Sequence, residues 1–121
     1  MQWLMIFLSG GLGAAARHGI SLLLPFSPWS FPWAIFLVNG LGSLLIGAAY
    51  AYAGRFSLSE LSLLMITTGF LGGFTTFSSF SWQSLLLLQQ GRWFYAAAYI
   101  LGSPALGIFC AFFGWWALRR I

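Results

Sequence analysis

Acid is nearly absent from this sequence: Glu60 is its one carboxylate side chain, there is no Asp and no Lys, and five Arg carry the positive charge. Charged residues make up 5% of the 121, against about 25% in a typical soluble domain, which excludes a water-facing globule. The one cysteine, Cys110, lies in an apolar run and excludes a disulfide-stapled secreted scaffold. A single His and a single acid leave no carboxylate pair, no nucleophile–base pair and no side-chain metal cluster, so the reading is not an enzyme. The net charge of +4 comes from scattered Arg rather than from a basic face, which excludes nucleic-acid binding.

What fills the chain instead is apolar: 60% hydrophobic residues, 20% aromatic. A membrane-spanning helix needs about 20 such residues, so four spans use about 80 and leave no room for an extramembrane domain. The expected layout is one all-α membrane domain over residues 1–121 with spans near 3–24, 32–54, 58–90 and 93–118. Pro25-Phe26-Ser27-Pro28 separates the first two spans, since each proline ends a helix and restricts its predecessor. Gly91 suits the C-cap of the third span, and Arg119-Arg120 closes the fourth at the headgroups. Trp3, Trp29, Trp33, Trp93, Trp115 and Trp116 fall near span ends as an aromatic belt. Ala14-Ala15-Ala16 resembles a signal cleavage site, but no basic region precedes it and glycines interrupt the apolar run, so a retained helix is expected. Alternating spans put Arg55, Arg119 and Arg120 on one side with Arg17 and Arg92 on the other, a split too even to fix one orientation.

The third span is too long for a simple crossing. Residues 58 to 90 make 33, or about 50 Å of unbroken helix, against a hydrocarbon core of about 30 Å. Its middle holds Gly69, Gly72, Gly73 and all four threonines of the protein. A break is therefore expected there, and irregular backbone at that depth is tolerated only inside protein or beside a polar cavity or ion. Glu60 is expected to be spent on a capping box, with Ser57 as the cap and Glu60 at the third position.

The remaining polar residues recur at helical spacing. Asn39, Ser43 and Gly47 repeat every four residues, as do Tyr95, Tyr99, Ser103 and Gly107, with Pro104 a candidate kink. On a wheel of the third span Phe70, Phe74, Phe77 and Phe80 fall on one side, and Thr68, Gly72, Thr75, Ser79 and Gln83 on the other. Each stripe reads either as small-residue helix packing or as the lining of a polar path. Arg17 reads either as a side chain snorkelling to the interface or as a cation that draws anions inward. The buried inventory is amide, hydroxyls, glycine backbone and phenyl edges, chiefly hydrogen-bond donors for an anion. With Glu60 at a cap, no carboxylate remains inside for a cation or proton relay.

The run Gly69-Phe70-Leu71-Gly72-Gly73-Phe74-Thr75-Thr76-Phe77-Ser78-Ser79-Phe80-Ser81 resembles the Fluc (CrcB) fluoride channel family. Gly10-Gly11-Leu12-Gly13-Ala14-Ala15-Ala16-Arg17 and Val38-Asn39-Gly40-Leu41-Gly42-Ser43 extend the resemblance to most of the chain. The resemblance implies an antiparallel, dual-topology homodimer in a microbial plasma (inner) membrane that exports fluoride passively and protects the cell from it. It further implies a structural Na⁺ at the dimer centre, held by the Gly72 and Thr75 backbone carbonyls of both copies and not transported. By the same resemblance Phe77, Phe80 and Asn39 line the pore, and Ser78 and Ser79 are the hydroxyls between the phenylalanines. Tyr99 and Ser103 begin a polar track on the fourth span, and Arg17 is a vestibule arginine. His18, Gln83 and Gly107 depart from the family's pattern, where a Tyr, a vestibule Glu and a track serine are common. Two rivals share the composition: a small multidrug-resistance-type exporter, which needs an acid in the first span, and a helper subunit of a larger membrane complex.

Overall fold

The computed structural model describes residues 1–120, and among them there are helices and no strands. Helix α1 (Gln2–Leu23) ends as Leu24 N–H reaches the Ile20 carbonyl and Pro25 blocks continuation. Helix α2 (Trp33–Arg55) follows a turn in which Ser30 N–H bonds to the Ser27 carbonyl. The third stretch opens with α3 (Glu60–Leu64), passes through a π-helical segment (Met65–Leu71), and tightens into the single turn α4 (Gly72–Phe74). Thr75 and Thr76 are extended, with ψ of 157° and 124°, before α5 (Phe77–Gln89) begins. Helix α6 (Trp93–Arg120) runs unbroken for 28 residues with Pro104 inside it, so the proline does not end the helix. Pro104 has no N–H for the Ile100 carbonyl one turn earlier.

Three stretches are long and apolar enough to cross a membrane: Trp33–Arg55, Glu60–Gln89 and Trp93–Arg120. Helix α1 is 22 residues long, but Arg17, His18 and its glycines make it less apolar than the others. Large apolar side chains face outward along α1, α2, α5 and α6, with Trp3, Phe7 and Phe94 at 84%, 74% and 81% exposure. Water would not tolerate that exterior, and lipid would.

Two helix pairs hold the molecule together. Helix α2 packs along α6, and α1 packs on the π-helical segment and α4. Both contacts are backbone against backbone. A Cβ at Gly114 would land on the Leu44 carbonyl, and one at Gly13 on the Phe70 carbonyl, the close approach that small residues permit between membrane helices. An aromatic core closes one end, where Ile35, Leu87, Ala96 and Tyr99 are buried against Phe31, Phe36, Phe80 and Tyr95.

The helix ends correct one expectation. Ser59, not Ser57, caps α3, its Oγ accepting from Ser62 N–H at 3.1 Å. Glu60 is then the first helical residue and exposed, so the expected capping box does not form. A carboxylate in the first turn still complements the helix dipole. At the other end Gly91, with φ of 67°, lets Arg92 N–H reach the Leu87 carbonyl and Gly91 N–H the Leu88 carbonyl, a Schellman closure.

Candidate functional site

Thr76 organises the centre of the molecule. Its backbone N–H donates to Asn39 Oδ1 at 2.9 Å, and its carbonyl accepts from Asn39 Nδ2 at 3.1 Å. The single Asn of the sequence thus clips α2 to the extended residues through both ends of its amide. The Thr76 side chain caps α5: Oγ1 accepts from Ser79 N–H, and its hydroxyl lies 3.2 Å from the hydroxyls of both Ser78 and Ser79. Asn39 was marked by the sequence, but Thr76 was not singled out. The signal available was a threonine three residues before Ser79, the spacing of an N-cap to the amide it binds.

This arrangement redirects two amides. In a continuous helix, Thr76 N–H would serve the Gly72 carbonyl and Ser79 N–H the Thr75 carbonyl. Here both N–H groups are bound to side chains, Asn39 Oδ1 and Thr76 Oγ1. The next carbonyl, that of Gly73, accepts from Arg17 Nε at 3.2 Å. Gly72 and Thr75 therefore present carbonyl oxygens without their helical donors, and hard cations favour such unwound carbonyls. Among the described residues, no cluster of His, Cys, Asp or Glu could hold a metal.

Beside this centre lies an open groove of about 490 Å³ between α2, the third stretch and α6. Asn39 and Ser43 line it from α2, Gly72, Thr75, Thr76, Phe77 and Phe80 from the third stretch, and Ser103 and Gly107 from α6. No charged side chain borders it. The Phe77 and Phe80 rings are 5.6 Å apart, and Phe80 lies 5.0 Å from the Tyr99 ring. Ser103 Oγ is buried with no hydrogen-bond partner.

Of the residues marked by the sequence, Asn39, Gly72, Thr75, Phe77, Phe80 and Ser103 meet at this groove. Ser78 and Ser79 join it through Thr76. Tyr99 stands behind Phe80 and donates its hydroxyl to Gln83 Oε1 at 2.9 Å, so these two pair between α5 and α6. Arg17 is not at the groove: it is half-buried and turned onto Gly73. The phenylalanine stripe does not survive as one face, because Phe74 is 4% exposed and Phe77 78%. A wheel at 100° per residue cannot cross a π-helical segment and two extended residues in register. Thr67 and Ser43 also line the groove, although the sequence favours helix packing for Ser43.

The fold and the groove together define a multi-pass helical membrane protein with an uncharged polar recess among its helices. The chain belongs to the CrcB family: the family model described as "CrcB-like protein, Camphor Resistance (CrcB)" matches residues 4–115. It is 43% identical over 115 residues to the fluoride-specific ion channel FluC of Thermus thermophilus, covering 94% of this chain and 92% of that one. The FluC proteins of Methylobacterium nodulans and Dichelobacter nodosus are also 43% identical, over 109 and 122 residues, covering 89% and 96% of this chain and 88% and 95% of theirs.

Proposed function

We propose that this chain is a fluoride-selective ion channel, which lets fluoride leave the cell passively, lowers its cytoplasmic concentration and protects against its toxicity. No bond is made or broken, so the protein is not an enzyme. The observation that carries the reading is the groove: neutral donors and phenyl rings, no carboxylate, in a chain of this family. Fluoride is small and strongly hydrated, and stripping its water is unfavourable unless several donors replace the shell together.

The donors available can be counted proton by proton. Asn39 spends one N–H on Thr76, and an amide nitrogen carries two, so one remains. Thr76 gives its hydroxyl proton to Ser79, so Ser78 donates to Thr76 and Ser79 keeps its own proton for a ligand. Ser103 has no competing partner. Phe77 and Phe80 offer the positive rims of their rings. Tyr99 is bound to Gln83 and supports Phe80 from behind. Arg17 contributes a positive potential at short range, which favours anions over cations.

The third stretch works in this reading as a membrane helix broken at mid-bilayer, in a homodimer of two antiparallel copies inserted in both orientations in the plasma membrane of a bacterium or other microbe. The Gly72 and Thr75 carbonyls of each copy fit a structural Na⁺ shared at the dimer centre, where the ion supplies the positive charge that unpaired carbonyls need. Gly72 is exposed in the single copy, which leaves it open to a partner.

The test is efflux from liposomes, followed with a fluoride electrode and with chloride as control. Fluoride release with chloride retained is expected. Retention of both, or equal release of both, overturns the reading and favours an exporter or a helper subunit.

A further inference from the structure

Hydroxyls in these helices mostly spend their proton locally. Those of Ser9, Ser21, Thr67, Thr75, Ser81 and Ser84 each donate to the carbonyl four residues earlier, the usual fate of a hydroxyl on a membrane helix. Two hydroxyls at the groove behave otherwise. Ser103 Oγ on α6 has no partner, and Ser43 Oγ on α2 has no hydrogen bond among the described residues. Asn39 lies one turn before Ser43, and Ser103 one turn before Gly107.

Gly107 brings no side chain to its place on the wall. A Cβ there would lie 3.3 Å from Ser43 Oγ. The Ser43 hydroxyl thus reaches across from α2 into the space that Gly107 leaves beside α6, with its proton unspent and the groove in front of it.

We propose that Ser43 is a further anion-binding residue, donating to fluoride one helical turn beyond Asn39 and Ser103. Four residues rise about 6 Å along a helix, short enough for a small anion to pass from one set of donors to the next without regaining a full water shell. The proposal rests on the channel reading. It assigns to Ser43 a contact with the ion, in place of helix packing.

Three proteins in the liposome assay decide it: wild type, Ser43→Ala, and the exchange Ser43→Gly with Gly107→Ser, which moves the hydroxyl to the opposite wall of the same space. Losing a hydrogen bond to a charged acceptor slows fluoride efflux of Ser43→Ala about tenfold, with chloride retained and the elution profile of wild type. The exchange variant returns to within about twofold of wild type, because the donor number is restored. Ser43→Cys, of similar size but a weak donor, carries the same expectation as alanine and serves if alanine disturbs assembly. Ser43→Ala at the wild-type rate overturns the proposal, and so does an exchange variant as slow as Ser43→Ala. A wild-type protein that releases no fluoride overturns the channel reading itself.

Discussion

Phe80 stands between two rings, 5.6 Å from Phe77 and 5.0 Å from Tyr99, and lines the groove. An isoleucine there keeps an apolar side chain but removes the positive ring edge. Phe80→Ile is expected to lower fluoride efflux by more than about tenfold while leaving a folded protein of unchanged elution volume; undiminished efflux would remove Phe80 from the pathway. Asn39 carries a different load. Its amide satisfies both the N–H and the carbonyl of Thr76, and Asn39→Ala leaves that part-buried pair unmet. The expected loss is about 1–3 kcal/mol of stability per buried group left unsatisfied, read as a lower thermal midpoint in detergent, together with slower efflux. The residues that meet at the groove were legible where a side chain is rare in its surroundings: one Asn, a Ser on α6, aromatic rings in a hydroxyl-rich run. Thr76 was hidden because its work is done mainly by its backbone, which a sequence does not distinguish among four threonines.

At the scale of helices, punctuation was readable and irregularity was not. Pro25 and Gly91 mark ends for reasons carried by single residues, a missing N–H and a positive φ of 67°. Ser57 and Ser59 offer the same cap chemistry two residues apart, and only the path of the chain selects Ser59. The π-helical segment Met65–Leu71 has no sequence signature of its own, although such turns gather at functional sites. Pairing between helices was visible as small residues at intervals but not by partner: Gly47 and Gly114 join α2 to α6, while Gly13 joins α1 to the third stretch. Gly114→Ala puts a methyl group onto the Leu44 carbonyl, and neither helix can retreat without losing the contact. A destabilisation of about 3 kcal/mol is expected, seen as a fall in the yield of monodisperse protein. Gly54→Ala, with open space around its Cβ, is the control that leaves yield unchanged.

Across the whole molecule the arginines divide by task. Arg55, Arg92, Arg119 and Arg120 lie at helix ends with their guanidinium groups over Phe56, Trp29, Trp115 and Trp116, at 5.8, 5.6, 4.5 and 4.4 Å, where cation and ring anchor together at a membrane interface. Arg17 alone turns inward, onto the carbonyl next to Gly72. One guanidinium is thereby engaged with the Gly73 carbonyl, leaving those of Gly72 and Thr75 for something else. A single copy offers two such oxygens, too few to replace the water of a cation, whereas two copies meeting at this point offer four. Binding that exists only in the assembled pair stabilises the pair in proportion to the logarithm of ion concentration. Replacing Na⁺ throughout by a large organic cation such as N-methylglucamine is therefore expected to lower the thermal midpoint of the proposed dimer and to stop fluoride efflux. Returning Na⁺ restores both, and the helical circular-dichroism signal stays the same throughout at room temperature. Efflux that continues unchanged after Na⁺ is removed on both sides of the membrane would leave the Gly72 and Thr75 carbonyls without the proposed ion.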